Sequence, residues 1–255
     1  MTGKRIRALA VFIALLVAGC SSEAVLMRLD PSLGAKDLRQ GKVAVLGVVK
    51  FQEPDQVRPP LIAMLEKTFR EERTDVPLVS SDSVRALLGR ERDQKLLLAY
   101  EYQGSLDPAA LGEIADSLRG VARFLALARV EKDTQRNSVR STGGTDSTRA
   151  NYVVGVTGRD AKVAVHLYDL RRRTLVMSAR YEGSSENERP MLAPIRTLGS
   201  PDATINAGQA TTPDDKDYPG APELALALEE PFRTFERTLP GSPRPAGTPP
   251  ATGRR

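Results

Sequence analysis

The stretch from Val43 to Val49 reads Val-Ala-Val-Leu-Gly-Val-Val and is bounded by Lys42 and Lys50. A strand with one face in water alternates apolar and polar residues, whereas a strand covered on both faces is apolar along its length. The stretch therefore predicts a buried strand inside a sheet that carries other elements on both faces.

The hydrophobic period changes near Val121, from helical spacing before it to alternation after it. Before that point the pattern predicts helices around residues 61–69, 82–88 and 107–118 and a short strand at 76–79. After it the pattern predicts strands at 124–130, 152–156, 163–167 and 175–181. This order predicts an α/β fold: a single domain with a mixed sheet of about four to six strands, an antiparallel C-terminal meander and about three to four packed helices.

The amino terminus predicts secretion and lipidation. A basic start with Lys4, Arg5 and Arg7 precedes eleven apolar residues from Ala8 to Ala18. That run is shorter than the roughly 20 residues of a membrane-spanning helix and is typical of a cleavable signal. The five residues that end at Cys20, Leu-Val-Ala-Gly-Cys, resemble the lipobox of bacterial lipoproteins, in which the cysteine is acylated and becomes the new amino terminus.

Lipidation at Cys20 predicts a cell-envelope protein whose first partner is membrane lipid. Two or three acyl chains anchor stably, whereas one does not. The alternative is ordinary signal cleavage without acylation. Ser21 follows the cysteine, and resemblance to Gram-negative lipoproteins then implies the outer membrane, on the periplasmic side, if the source is Gram-negative. Cys20 is the only cysteine, so no disulfide forms within one chain.

The charge of the chain does not indicate nucleic-acid binding. The first nineteen residues hold three of the 37 basic residues and none of the 32 acidic ones, so their removal lowers the net charge from +5 to about +2. The chain also has no tryptophan and only 5% aromatic residues, so platforms for base stacking are scarce. We expect no nucleic-acid partner.

Composition divides the chain into segments. Residues 184–220 are rich in small and polar residues without a period, and the last sixteen residues contain five prolines. The sequence therefore predicts a signal peptide at 1–19, a lipidated tether at 20–41, the α/β domain at 42–183, a long loop at 184–220, a C-terminal helix packing on the domain at 221–239, and a disordered Pro/Gly-rich tail at 240–255.

The domain resembles one known superfamily. The matching segments are Lys42–Leu46, Val79–Asp82, Asp107–Val130 and the hairpin Val163–Val176. They are similar to the domain shared by curli-secretion pore lipoproteins, the lipoprotein activator of a penicillin-binding protein, and the amino-terminal domain of the Tol translocation protein. The resemblance covers about residues 42–183 and implies an anchored, non-enzymatic module that binds other envelope proteins.

Two positions depart from the pattern of that superfamily. Gly47 stands where a proline is common after the first strand, and Arg173 stands where a glycine is common in the last hairpin turn. Both departures weaken the transfer of a particular activity to this chain.

The residue inventory favours a protein without catalysis, metal or cofactor. His166 is the only histidine and Cys20 the only cysteine, so neither a histidine-based triad nor a zinc site of nitrogen and sulfur ligands is expected. No Ser-x-x-Lys spacing and no Gly-rich phosphate motif occurs. A glycosidase pair of carboxylates needs no motif, so an envelope hydrolase stays open as an alternative.

Two polar segments are candidates for contact with a membrane surface or a partner protein. Arg171, Arg172 and Arg173 are expected at a hairpin tip, as a plain solvated turn or as a contact patch for anionic lipid headgroups or an acidic partner. Residues 131–150 are expected to form a mobile loop, with a partner-docking arm as the alternative.

The leading hypothesis is a membrane-anchored, non-catalytic adaptor or scaffold for a cell-wall or secretion assembly, acting through protein binding. A subunit of an oligomeric outer-membrane secretion pore is the alternative, and a homo-oligomer is compatible with both. Residues 131–150 and 184–220 lack the alternation that membrane-crossing strands need, which favours the adaptor.

Overall fold

A six-stranded mixed sheet organises the computed structural model, which describes residues 24–52, 58–142, 152–191, 216 and 218–242. Its order is β1-β6-β5-β4-β2-β3, with β2 parallel to β3 and β4 and the remaining neighbours antiparallel. The strands are β1 (Ala24–Leu29), β2 (Val43–Lys50), β3 (Leu78–Val79), β4 (Phe124–Thr142), β5 (Tyr152–Asp169) and β6 (Thr174–Met191). The predicted α/β fold with a mixed sheet and an antiparallel meander is confirmed.

Six helices lie within the described part of the chain: α1 (Ala35–Gly41), α2 (Arg58–Glu72), α3 (Ser81–Leu88), α4 (Arg90–Gln103), α5 (Pro108–Ser117) and α6 (Leu224–Thr238). Side chains cap two of them: Ser80 Oγ accepts a hydrogen bond from Ser83 N, and Asp107 Oδ1 accepts one from Ala110 N. Pro108 then occupies the first turn of α5, where its missing N–H costs nothing.

Helices cover both faces of the central strands. On one face Val43, Val45 and Val48 of β2 belong to a core that includes residues of α2 and α6. On the other face Ala44, Leu46 and Val49 belong to a second core with residues of α3, α4 and α5. Strand β2 is therefore apolar along its length because it is buried on both faces.

The sequence predicts a kink or a split of the C-terminal helix at Pro231; the helix is not split, since α6 continues through this residue. Pro231 lacks the N–H that would bond the carbonyl of Ala227. A Cβ atom at Gly183 would overlap both that carbonyl and the Pro231 ring. The glycine lets β6 approach this irregular turn closely, and the packing accommodates the proline.

The structure corrects the tether predicted for residues 20–41. Residues 24–29 form β1, which pairs with β6, and residues 35–41 form α1. Leu38 of α1 is fully buried, and Asp37 forms an ion pair with Arg123 at 2.6 Å. The domain therefore begins by Ala24, and residues 20–23 lie outside the described residues.

The structure also corrects two predicted loops. Strand β4 continues to Thr142, and β6 continues to Met191, both paired with the central strand β5. We call the three-stranded extension the arm; it consists of residues 131–142, 152–162 and 182–191. At about 3.3 Å per residue the strands of the arm are roughly 33–40 Å long. Most of the loop predicted at 184–220 beyond Met191 and the tail from residue 243 lie outside the described residues.

Candidate functional site

The outer edge of β1 is the most exposed apolar feature of the sheet. All six of its residues are exposed, and five of them are apolar. The large side chains remain accessible to 52% at Val25, 47% at Leu26, 54% at Met27 and 39% at Leu29. Six residues of edge strand that combine apolar side chains with unpaired backbone groups form a template for another strand.

The opposite edge of the sheet, strand β3, offers far less exposed apolar surface for pairing with another strand. Strand β3 has only two residues, Leu78 and Val79, and both are half-buried. On β1 the residue Met27 has no Cα partner in β6, because the register shifts between Leu26 and Arg28. Among the described residues no strand pairs with the outer side of β1.

One face of the arm carries a ladder of charges. Arg136 lies 3.4 Å from Glu186, and Arg140 lies 2.8 Å from Glu186 and 2.6 Å from Glu188. These side chains reach from β4 to β6 across the central strand, where Gly158 has no side chain to obstruct them. The ladder ties the two outer strands of the arm together.

The other face of the arm is also polar. Thr157 Oγ1, Arg159 Nη1 and Asn187 Nδ2 donate hydrogen bonds to backbone carbonyls within residues 219–222, at 2.7–2.9 Å. Neither face of the arm therefore presents a continuous apolar band over the described residues.

The structure separates the three arginines of the predicted contact patch. Arg172 is engaged, at 3.1 Å from Asp30 and 3.2 Å from Asp169, and it donates a hydrogen bond to Ser32 Oγ. Arg171 and Arg173 instead line a cleft. At the hairpin tip, Arg172 is thus bonded within the fold, whereas Arg171 and Arg173 on either side of it face the cleft.

His166 belongs to the packing of the sheet. Its Nδ1 lies 3.0 Å from the hydroxyl oxygen of Tyr100, and its ring packs edge-on against Tyr100 and Tyr168. Burial lowers its pKa to about 4, and Arg129 acts in the same direction. The imidazole is neutral at pH 7 and is held between two tyrosines.

Cys20, the predicted lipidation site, lies outside the described residues. Within the described ranges no group of three or more His, Cys, Asp and Glu side chains could hold a metal ion. No helix in that part of the chain combines the length and the apolar character that a membrane-spanning helix needs.

The β1 edge was missed by sequence reasoning. The run Ala-Val-Leu-Met-Arg-Leu is visible in the sequence, but without alternation and next to a signal peptide it gave no strand period. The run begins four residues after Cys20, and its apolar content was the one signal in the sequence that could have indicated a strand there.

No protein-family model matches this chain, and no curated protein matches it. Solved structures that are similar include the PelC dodecamer from Paraburkholderia phytofirmans, at 16% identity over 65% of this chain and 83% of that chain, with a TM-score of 0.31. The hypothetical protein CT253 from Chlamydia trachomatis has 18% identity over 78% and 97%, with a TM-score of 0.33. Lipoprotein GNA1162 from Neisseria meningitidis has 12% identity over 59% and 83%, with a TM-score of 0.34. No function is transferred to this chain from these proteins.

Proposed function

We propose that this chain is a membrane-anchored, non-catalytic lipoprotein of the bacterial envelope that acts as an adaptor, binding an extended apolar segment of another envelope protein along β1. The observation that carries the proposal is the exposed apolar edge of β1. Addition of a strand to such an edge gains main-chain hydrogen bonds, while the side chains of the edge select the partner.

The anchor and the binding edge are close in sequence. Cys20, acylated in this proposal, precedes Ala24 by four residues. An extended chain spans at most about 3.6 Å per residue, so the lipid anchor lies within roughly 14 Å of the start of β1. Binding along β1 therefore takes place near the membrane surface.

A peptide strand can pair with the backbone hydrogen-bonding groups of the β1 edge, whereas lipid acyl chains cannot. The outer side of β1 offers backbone N–H and C=O groups together with apolar side chains, and burying such polar groups unpaired costs free energy. Acyl chains supply neither donors nor acceptors. An extended apolar peptide supplies both, along with side chains to contact Val25, Leu26 and Met27.

The arm argues against the secretion-pore alternative, although its strands are long enough to cross a membrane. Such strands need an outward band of apolar residues about 25 Å tall. Here one face carries Arg136, Arg140 and Glu186, and the other carries polar side chains bonded to residues 219–222. Charged side chains facing hydrocarbon are costly, so the arm suits an aqueous compartment.

His166 gives the hydrolase alternative no support. It is held between two tyrosines, and its lowered pKa leaves it a weak base at pH 7. The carboxylate pair on which that alternative rests stays a prediction, and the exposed edge of β1 is the observation that favours a binding role.

The experiment that tests the proposal is affinity capture from detergent-solubilised cells with a variant of the β1 edge. Leu26→Lys combined with Met27→Lys should lower the yield of the copurifying envelope protein about tenfold or more, because charges on an edge strand oppose strand addition. The yield is measured by quantitative mass spectrometry against the unaltered chain.

The matched control is Leu87→Lys combined with Leu98→Lys, which places the same charges on side chains that are 48% and 47% exposed on α3 and α4. The control should capture the same protein in the same yield as the unaltered chain. Equal loss of capture in both double variants would count against β1 as the binding edge.

A further inference from the structure

A cleft of about 480 Å³ lies at the end of the sheet where β2 and β4 begin and β5 ends. Its floor includes the buried Leu170 and the chain around Gly41 and Gly120. Cations dominate its charged lining, which consists of Lys42, Arg119, Arg123, Arg171, Arg173 and a single carboxylate, Asp116.

Two of these cations are neutralised within the fold. Arg123 bonds Asp37 at 2.6 Å and Asp169 at 2.8 Å, and Arg119 lies 2.8 Å from Asp116. Lys42, Arg171 and Arg173 are different: no carboxylate of the described residues lies within ion-pair distance of them. The cleft therefore holds an excess of about three positive charges.

The backbone of the cleft holds two of these cations in an unfavourable conformation. Lys42 has φ 53° and Arg173 has φ 55°, in the region that favours glycine. The described residues contain three non-glycine residues with positive φ, and two of them line this one cleft. Backbone strain of this kind persists where the surrounding structure or a function requires the side chain.

The position of Arg173 is also fixed by its neighbour. A Cβ atom at Gly112 of α5 would lie 3.4 Å from Arg173 Nη1, so the guanidinium rests where the helix has no side chain. This packing places the guanidinium of Arg173 beside the cleft. Its planar set of N–H donors can form two parallel hydrogen bonds to an acceptor with two oxygens.

We propose that the cleft binds a phosphate-bearing anion through Lys42, Arg171 and Arg173. A guanidinium binds two phosphate oxygens at once, and the ammonium group of lysine adds a point charge. The inference is independent of the β1 edge, since the cleft lies beyond Leu29, at the far end of β1 from Ala24. The phosphate group belongs either to a soluble ligand or to a lipid headgroup.

The first arm of the test is calorimetric titration of inorganic phosphate into the full chain in neutral detergent micelles. The second arm compares the full chain in nanodiscs of phosphatidylcholine with nanodiscs that also contain phosphatidylglycerol, and follows the backbone amide NMR signals of Gly120 and Arg173. Each arm is repeated with Arg171→Glu combined with Arg173→Glu, and with a charge-matched control, Arg90→Glu combined with Lys95→Glu, whose residues are exposed on α4 and lie outside the cleft.

We expect saturable binding that weakens about tenfold or more in the cleft variant and less than about twofold in the control. Heat from phosphate identifies a soluble ligand, whereas signal changes confined to phosphatidylglycerol nanodiscs identify a headgroup. Arg173→Gly is the second cleft variant: glycine suits the backbone, so the chain keeps its stability while anion affinity falls severalfold. No response in either arm, or equal weakening in the control, overturns the proposal.

Discussion

Replacement of Asp169 by alanine is expected to lower the free energy of unfolding by about 3–5 kcal/mol, because it leaves the partly buried guanidinium of Arg123 with only Asp37 as a partner and removes the acceptor of two backbone N–H groups. Asp169 is fully buried, and its Oδ2 accepts hydrogen bonds from Arg123 Nε at 3.0 Å and Nη2 at 2.8 Å. Its Oδ1 accepts two more from the backbone N–H groups of Arg171 and Arg172. One carboxylate thus joins the start of β4 to the hairpin that carries the cleft arginines.

The measurement is equilibrium unfolding in urea, read by circular dichroism. Asp116→Ala is the control, because Asp116 is 60% exposed and pairs only with the exposed Arg119. That substitution should cost less than about 0.5 kcal/mol. If Asp169→Ala also cost less than about 1 kcal/mol, the buried network would not hold the hairpin as described.

Replacement of Glu236 by glutamine is expected to raise the free energy of unfolding at pH 7 by about 3 kcal/mol. Glu236 of α6 is fully buried, and burial raises the pKa of its carboxyl to about 9 from an ordinary value of 4.5. Thr68 donates a hydrogen bond to Oε1 at 2.8 Å, while Oε2 has no hydrogen-bond partner among the described residues. Glu72 raises this pKa further, and Arg233 lowers it.

The sign of the pH dependence follows from the direction of that shift. Between about pH 4.5 and pH 9 the folded chain keeps a proton on Glu236 that the unfolded chain releases. The stability that this group contributes is therefore complete below pH 4.5 and is lost as the pH rises toward 9. Glutamine cannot ionise, so its advantage over glutamate should grow from about 1 kcal/mol at pH 5, through about 3 kcal/mol at pH 7, to its full value near pH 9.

Urea unfolding at pH 5, 7 and 9 measures this difference between the two chains. His166, whose pKa is lowered, is present in both chains and cancels from the comparison. Glu230→Gln on the same helix is the control, since Glu230 is 52% exposed and should change stability little at any pH. A Glu236→Gln chain with the pH dependence of the unaltered one would show that the buried carboxyl is not protonated in the folded state.

The core of the fold could be predicted because burial leaves a period in the sequence. The apolar run of β2 and the alternation in residues 163–167 reflect strands that contact helices, and both were sufficient to predict the mixed sheet. Helix α4 was missed, since its buried residues Leu96, Leu97 and Tyr100 stand among charged residues and give little apolar periodicity.

The outer strands could not be predicted, for a different physical reason. Residues 132–140 and 184–190 form strands although both of their faces are polar, because the backbone pairs with β5 while the side chains face water or polar groups. No apolar alternation arises when neither face joins the core. Strand β1 was missed for another reason: its residues are mostly apolar, but all six are exposed, so no alternation between a buried and a solvent face arises.

The candidate sites were predicted only in part. Sequence alone placed Arg171, Arg172 and Arg173 at a hairpin tip, but it could not divide them between structural and free roles. That division depends on Asp30 and Asp169, which the fold brings beside Arg172. It could not reveal the positive φ of Lys42 either, because a backbone conformation that favours glycine leaves no trace when the residue is lysine.

The most direct test of the central claim is photo-cross-linking in living cells from a residue of the β1 edge. A photoreactive amino acid at Leu26 of the full chain should yield adducts with an extended segment of an envelope protein, identified by mass spectrometry. The same amino acid at Leu98, which is equally exposed on α4, should yield no such adduct. Absence of protein adducts from position 26, or the same adducts in equal yield from both positions, would contradict a binding role for this edge.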